Sequence, residues 1–302
     1  MERDPFRSWG AIDGQLWLQL MLPSHKQQAF AYPARASTYT QQHRVSPIGL
    51  VPKKVDSSVH GEAAFRLIHH LSHPQGSSIN DFIPQEACTV QYTSFDQAVA
   101  MIQNLGRGAY MSKFGVKSAF KPPACGTIGL SATFGIKFQE QFYIDKCLPF
   151  GCSISCALFE SFSTFIEWAI KATTCSQDIA HYLDDFILAA VDLNKCSNML
   201  NTSLQLADNL GVPIAHQKTV QPTTCLTFLG LTIDAARGEI RIPEDKIAQL
   251  VHQLSQLVDS SSKKVTLHTL QSIVGKLNFV CKAIPMGRPF LRRLIDAQKG
   301  NA

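Results

Sequence analysis

The sequence is poor in charged residues and contains no long apolar run. Of its 302 residues only 17% are charged and 45% are hydrophobic, which excludes a disordered chain and allows a sizeable buried core. The apolar stretch at residues 16–22 is far too short to cross a bilayer, and the amino terminus lacks the pattern of a secretion signal. We therefore expect an intracellular protein, cytoplasmic or nuclear, with no membrane partner.

Cysteines at metal-binding spacing are also absent. No two of the nine cysteines have Cys-x2-Cys spacing, and the closest cluster, Cys147, Cys152 and Cys156, fits small packed side chains better than ligands. We expect reduced thiols and no structural metal. The net charge of +5 is modest, but residues 263–299 hold eight Lys or Arg and the single acid Asp296, so the basic charge is concentrated there.

The elements follow one another in a mixed order. A strand–turn–strand pattern spans 47–70, a helix begins at Ser94 and ends at Gly106, and the strongest helical period of the chain follows Gly151. Further strands and helices alternate until the last segments, which are helical. This order predicts an α+β core followed by a basic helical part.

Two adjacent carboxylates lie where two apolar, strand-like runs meet. Residues 179–183 and 186–191 flank Asp184 and Asp185, so both acids are expected at the tip of a hairpin. Fixed neighbouring carboxylates repel each other, and a divalent cation such as Mg2+ or Mn2+ relieves that repulsion. Aspartates are also common turn residues, and taken alone the pair favours an ordinary surface turn.

The order of several segments changes this interpretation. They are Phe65–Ser72, Gly76–Asp81, Lys117–Phe120, Asp145–Ser155, Tyr182–Asp185, Gly211–Ala215 with Lys218 and Thr219, Phe228–Gly230, Lys264–Leu267 and Phe290–Arg293. In this order and spacing, over about residues 45–298, the chain resembles a retrotransposon reverse transcriptase, especially the tyrosine-recombinase (DIRS-like) type.

The resemblance implies an α+β fold with right-hand polymerase architecture. It places a poorly defined lead-in at 1–44, fingers at 45–110, a palm with an antiparallel sheet and part of the fingers at 111–235, and thumb or connection helices at 236–302. It also implies RNA-directed DNA polymerase activity: template-directed DNA synthesis by nucleotidyl transfer from dNTPs to a primer, on RNA or DNA template, with two Mg2+ or Mn2+ ions.

The resemblance implies a role for individual residues. Asp184 and Asp185 correspond to the metal-binding catalytic pair, and Lys218 to a lysine near the departing pyrophosphate. The residues implied in nucleotide binding are Lys53, Arg66, Phe120, the steric gate against a 2′-hydroxyl, and Gly151. The implied primer grip is Phe228, Leu229 and Gly230, and the implied contacts to the nucleic-acid backbone are Lys276, Lys282, Arg288, Arg292 and Arg293.

Some of these residues have ordinary alternatives. Arg66 fits a rim charge and Phe120 a core aromatic, although the flanking match favours the functional roles. Lys218 follows a loop, where lysine is common, so for this residue the two interpretations are balanced.

One residue departs from the family pattern at a decisive position. The family has an aspartate five residues before the steric-gate aromatic, which here is Gly115, and no acid lies between Asp96 and Glu140 to replace it. That carboxylate would bridge both metal ions. We therefore expect polymerase activity to be absent or severely reduced; a non-catalytic nucleic-acid-binding remnant and an unselected relic with a marginal fold are the alternatives.

A second departure covers residues 122–134, which do not resemble the family, although the match resumes at Gly135. Replacement of a block at nearly constant length suggests a pair of compensating frameshifts. Reading the other frames of the coding DNA through these codons should recover a family-like peptide; if none appears, the hypothesis is wrong.

Overall fold

The computed structural model describes residues 31–33, 44–45, 47–52, 65–117, 134–138, 141–145, 147–259 and 265–299. Lys53, Phe120 and residues 122–133 of the unmatched block lie outside the described residues. Within the described part, no helix is both long and apolar enough to cross a membrane.

Helices and strands alternate through most of this part of the chain. The helices are α1 (Phe95–Leu105), α2 (Ser155–Thr174), α3 (Leu193–Asn209), α4 (Glu244–Val258), α5 (Leu267–Val280) and α6 (Arg288–Lys299). The strands are β1 (Ala31–Pro33), β2 (Arg44–Val45), β3 (Ile48–Pro52), β4 (Phe65–His69), β5 (Tyr110–Gly115), β6 (Phe134–Phe138), β7 (Gln141–Asp145), β8 (Ile179–Tyr182), β9 (Asp185–Ala190), β10 (Val220–Thr223), β11 (Cys225–Phe228), β12 (Leu231–Asp234) and β13 (Glu239–Arg241). The predicted mixture of strands with a helical end is confirmed.

Local sequence accounts for the helix ends. The side chain of Thr266 accepts a hydrogen bond from the backbone N–H of Thr269 and so caps α5. Gly106 directly follows α1. Its φ of +91° is in the left-handed region, which glycine adopts without strain. In α4 the first turn carries Glu244 and Asp245, whose charges favour the positive end of the helix dipole.

The strands form four sheets, in the orders β1-β7-β6-β2, β10-β5-β9-β8, β11-β12-β13 and β3-β4. Strands β3 and β4 pair antiparallel, from Ile48 opposite His69 to Pro52 opposite Phe65, which confirms the first predicted hairpin. Strand β2 pairs parallel with β6, whereas β8 and β9 pair antiparallel.

Strand β9 is buried over nearly its whole length. Its residues 186–190 are fully inaccessible, and the ring of Phe186 stacks on that of Phe114 in β5 at a centroid distance of 4.9 Å. A strand covered on both faces needs a continuous apolar sequence, and this explains the run Phe-Ile-Leu-Ala-Ala. The strand is therefore a rigid base for the acid that begins it.

The described residues divide into two compact units. Unit 1 consists of the described residues up to 94 and those in 113–188 and 198–220. Unit 2 consists of 95–112, 189–197 and the described residues from 221 onward.

Candidate active site

The two adjacent aspartates lie at the tip of a tight hairpin in unit 1. Tyr182 pairs with Asp185, so Leu183 and Asp184 form a two-residue turn and Asp185 is the first residue of β9. Leu183 has φ 52°, the left-handed conformation that such hairpin turns require at their first central position. The hairpin predicted from the sequence is confirmed, and its tip exposes part of both carboxylates.

Gly115 lies directly beside this pair. A Cβ atom on Gly115 would lie 3.1 Å from Oδ1 of Asp185 and 3.5 Å from the backbone oxygen of Asp184. The next residue, Val116, donates its backbone N–H to that same oxygen at 2.8 Å, and the Gly115 oxygen accepts from the N–H of Ala215 at 2.8 Å. Two neighbouring segments thus hold the backbone of residue 115, and any side chain at this position would meet the aspartates.

Lys218 lies beside the aspartate pair. Its Nζ lies 3.8 Å from Oδ2 of Asp184, and its Cδ would lie 3.7 Å from a Cβ on Gly115. More than half of the lysine side chain is exposed, so this ion pair is weak and the ammonium can move away from the carboxylate. The structure brings together Asp184, Asp185, Gly115 and Lys218.

The donor set fits a divalent cation only in part. Carboxylate oxygens are the ligands that Mg2+ prefers, and Asp184 and Asp185 offer them at one place. Gly115 adds no oxygen at the third position, and among the described residues no group of three or more His, Cys, Asp or Glu has the geometry of a metal site. Two carboxylates could hold one ion with solvent or substrate oxygens, and no third acid in the described part of the chain is grouped with them to hold a second ion.

A buried ion network supports the hairpin from behind. His181, in β8, contacts Glu167 through Nδ1, and its Nε2 lies 3.3 Å from Oε1 of Glu160; both glutamates come from α2. Burial alone would lower the pKa of His181, but the hydrogen bonds and charges of the two glutamates outweigh it and raise the pKa to about 9. His181 is therefore an imidazolium at neutral pH.

Glu167 is the better satisfied of the two acids. Burial would raise its pKa, but the hydrogen bond and charge of His181, together with those of Lys171, lower it. Oε2 of Glu160 is buried without a hydrogen-bond partner among the described residues. The sequence analysis missed this network, since a helical period does not reveal that a glutamate lies on the buried face.

Gly151 fills a position where no side chain fits. Its φ is +108°, and a Cβ would lie 2.0 Å from the backbone oxygen of His69. The N–H of His69 donates to the oxygen of Phe150 at 2.8 Å, which holds the two segments at this distance. A requirement for glycine at 151 thus follows from close backbone packing, independently of any contact with a nucleotide.

Asn80 joins the same segments through its side-chain amide. Its Nδ2 donates to the Gly151 oxygen and to Oγ of Ser72, both at 2.8 Å, and its Oδ1 accepts from the N–H of Ser153 at 3.0 Å. This side chain, here called the Asn80 latch, was not assigned a role from the sequence, although it lies in the Gly76–Asp81 segment that carried the resemblance.

Arg66 lies in β4 with its backbone opposite Val51.

The predicted primer grip is a tight turn in unit 2. Phe228 is buried and pairs with Leu231, so Leu229 and Gly230 form a two-residue turn, both with positive φ (45° and 82°). Lys246, from α4, donates from Nζ to the Gly230 oxygen at 3.0 Å. A residue of α4 therefore fixes the turn.

The basic side chains predicted to contact a nucleic-acid backbone are all exposed: Lys276, Lys282, Arg288, Arg292 and Arg293. Two of them have polar partners, since Lys276 Nζ donates to Gln253 Oε1 at 2.7 Å and Arg292 pairs with Asp296 at 3.2 Å. Asp296 is exposed and Gln253 is partly exposed, so these contacts are weak in water and leave the cations available to phosphates.

The α+β core with two carboxylates at a hairpin tip is the architecture of right-hand polymerases. A family model described as "Reverse transcriptase (RNA-dependent DNA polymerase)" matches residues 69–233, more than half of the chain. The chain belongs to this family of reverse transcriptases.

Two curated relatives are retroviral polyproteins. The Gag-Pro-Pol polyprotein of Human T-cell leukemia virus 2 is 24% identical over 208 residues, which cover 69% of this chain and 13% of the polyprotein. That of Human T-cell leukemia virus 3 (strain 2026ND) is 23% identical over 239 residues, which cover 78% of this chain and 15% of the polyprotein. The chain thus spans only a small part of the relatives that it matches.

Solved structures with the same fold include foamy viral protease-reverse transcriptases. One in complex with double-stranded DNA has a TM-score of 0.59 and 18% identity, covering 83% of this chain and 37% of that one. Another, in complex with an RNA/DNA hybrid, has a TM-score of 0.56 and 18% identity, covering 84% and 33%. These matches confirm the predicted right-hand polymerase fold.

Proposed function

We propose that this chain is a reverse transcriptase domain of retrotransposon origin whose polymerase chemistry is lost or severely reduced. The observation that carries the proposal is the position of Gly115. An aspartate there would direct its carboxylate at the pair, since a Cβ on Gly115 lies 3.1 Å from Oδ1 of Asp185. The glycine therefore removes an acid from the one place where it would complete the site.

The missing acid bears on catalysis through metal binding. Asp184 and Asp185 would hold Mg2+ or Mn2+, which when bound activates the primer hydroxyl and stabilises the departing pyrophosphate. If the bridging carboxylate contributes about 4 kcal/mol to the transition state, its loss lowers the rate on the order of a thousandfold. Lys218, weakly paired with Asp184, keeps its place near the pyrophosphate in this proposal.

The remaining assignments are proposals of the same kind. The substrates would be dNTPs and a primer on an RNA or DNA template, with Lys53, Arg66, Phe120 and Gly151 at the nucleotide and Phe228–Gly230 at the primer end. Fingers, palm and thumb would occupy 45–110, 111–235 and 236–302. The element would be of the DIRS-like type, which predicts a tyrosine-recombinase reading frame near the coding DNA.

Primer extension on poly(rA)/oligo(dT) tests the function directly. In Mg2+ and in Mn2+ the unaltered protein should show little or no extension, whereas Gly115→Asp should extend the primer. Gly115→Asn is the matched control, because it adds nearly the same volume without a charge. Extension by the unaltered protein at the rate of the aspartate variant would overturn the proposal.

A non-catalytic nucleic-acid-binding role is the second candidate function. It is favoured by the five exposed cations between Lys276 and Arg293, which do not depend on the state of the metal site. Salt-dependent binding to primer–template, with no extension by either the unaltered protein or Gly115→Asp, would support this role over a disarmed polymerase.

A further inference from the structure

Helix α6 exposes an aromatic ring on a strongly basic segment. The side chain of Phe290 is 82% exposed, and Met286, four residues earlier in the turn before the helix, is 80% exposed. The same helix is anchored at other positions on its surface, since Leu291 is buried and Gln298 donates from Nε2 to the backbone oxygen of Leu270 at 3.4 Å. Phe290 is therefore held in solvent by a helix that is packed along an adjacent face.

The charge around the ring is almost entirely positive. Residues 282–299 contain five cations, Lys282, Arg288, Arg292, Arg293 and Lys299, and one acid, Asp296. Arg293 lies three residues after Phe290, which places the two side chains on neighbouring positions of the helix surface. Asp296 is paired with Arg292, so no carboxylate remains to neutralise Arg288 or Arg293 on this helix.

The exposed ring and the positive charge of α6 together indicate what kind of partner binds this surface. An apolar protein surface would have to desolvate the arginines of this helix, at a cost that the exposed apolar side chains do not offset. Nucleic-acid phosphates neutralise arginines while an unpaired base stacks on an aromatic ring. In a duplex, stacking between neighbouring base pairs covers the faces of the bases, so a side-chain ring can stack on an internal base only in a single-stranded segment.

We infer that the exposed face of α6 that carries Phe290 binds single-stranded nucleic acid, with Phe290 stacked on a base and Arg293 on an adjacent phosphate. The inference rests on the proposed function insofar as a polymerase template extends single-stranded beyond its duplex. It adds a residue, Phe290, and a ligand class, unpaired nucleotides, to the five backbone contacts proposed above.

Fluorescence anisotropy with labelled oligo(dT) tests the inference on the full chain. Phe290→Ala should weaken binding roughly tenfold, since stacking on one base is of this order. Phe290→Leu should weaken it almost as much, because leucine keeps apolar area without a π-face. Phe290→Trp should retain affinity, and its added fluorescence should be quenched on binding.

Phe82→Ala is the matched control. Phe82 is 74% exposed but follows Asp81 in unit 1, away from any basic cluster in the sequence, so its loss should leave oligo(dT) affinity unchanged. Equal effects of Phe82→Ala and Phe290→Ala, or full affinity in Phe290→Ala, would overturn the inference. So would self-association of the unaltered protein in sedimentation that Phe290→Ala abolishes, since the face would then serve a second copy.

Binding of the unaltered protein to a blunt RNA/DNA hybrid separates this inference from the proposed function. Affinity for the hybrid without affinity for oligo(dT) would overturn the inference and leave the proposed function standing. Affinity for oligo(dT) that depends on Phe290, without affinity for the hybrid, would support the inference and count against the proposed function.

Discussion

Residue 115 has the backbone conformation of an ordinary strand residue, so a substitution there acts mainly on the side chains around it. It is the last residue of β5, without a positive φ, so an L-amino acid is allowed there. Among the described residues, the tightest contact of a Cβ at this position is with Asp185, whose carboxylate must shift by a few tenths of an ångström.

Gly115→Asp should make the stability of the protein dependent on Mg2+. Three carboxylates crowded without a cation repel one another, so in EDTA the variant should be about 1–2 kcal/mol less stable than Gly115→Asn. Millimolar Mg2+ should restore most of that difference, because binding to the folded state alone stabilises it. Thermal melting with and without Mg2+ measures both effects; equal melting of the two variants in EDTA would contradict this expectation.

The His181 network should limit stability at both ends of the pH range. The folded-state pKa of His181 is about 9 against 6.5 unfolded, so its contribution is complete below pH 6.5 and is lost as the pH rises through 9. The folded-state pKa of Glu167 is lowered, so its contribution is present above the unfolded value of 4.5 and is lost as the pH falls below it. Urea unfolding at a series of pH values should show a maximum between these limits.

Replacing His181 tests the same network directly. His181→Gln removes the cation that Glu160 and Glu167 share and, among the described residues, leaves only Lys171 beside Glu167, so the change should cost about 3–5 kcal/mol at pH 7. The difference from the unaltered protein should shrink at pH values above 9, where the histidine itself is neutral. Urea unfolding at both pH values measures it, and a pH-independent difference would contradict the assignment of an imidazolium.

At the scale of elements, the β4 segment and the turn before α2 come into close backbone contact at one point. Gly151 is the residue that permits it, with the backbone oxygen of His69 at 2.0 Å from the position of a Cβ. No flexible side-chain end can move aside here, because the obstructing atom belongs to the backbone.

Gly151→Ala should therefore be far more costly than Gly76→Ala. Both glycines have positive φ (+108° and +80°), but a Cβ on Gly76 would meet nothing within 4 Å. Gly76→Ala should cost about 1–2 kcal/mol from backbone strain alone, and Gly151→Ala at least about 3 kcal/mol from strain and collision together. Equal unfolding free energies in urea would show that the two segments can separate without loss.

Elements were more predictable from the sequence than the contacts between them. The β3-β4 hairpin, the cap at Thr266 and the turn that carries Asp184 follow from local period and turn chemistry. The Asn80 latch and the His69–Gly151 approach join residues 71 and 82 positions apart, and no local pattern contains that information. The site was predictable because its two acids are adjacent in the chain, whereas Glu160 and Glu167 come from a helix elsewhere.

At the scale of the whole molecule, affinity for nucleic acid should depend steeply on salt. The combined variant Lys276→Gln, Arg292→Gln and Arg293→Gln should lower the slope of log affinity against log salt by about 2–3, since each lost phosphate contact contributes about 0.7–0.9. Lys195→Gln, an exposed lysine in α3, is the control and should leave the slope unchanged. Filter binding to an RNA/DNA hybrid over a salt series measures it; an unchanged slope in the combined variant would remove these residues from the interface.

The Asn80 latch also bears on how the chain tolerates change. It closes a loop of 71 residues between Asn80 and Gly151, and this loop contains the block at 122–134. Most of the block belongs to the connection between β5 and β6. The entropy of closing such a connection grows only with the logarithm of its length, so even doubling its length would cost about 0.6 kcal/mol. The free energy of bringing Asn80 and Gly151 together therefore depends little on the length of the block. A chain in which these codons were altered could still form the contact between Asn80 and Gly151.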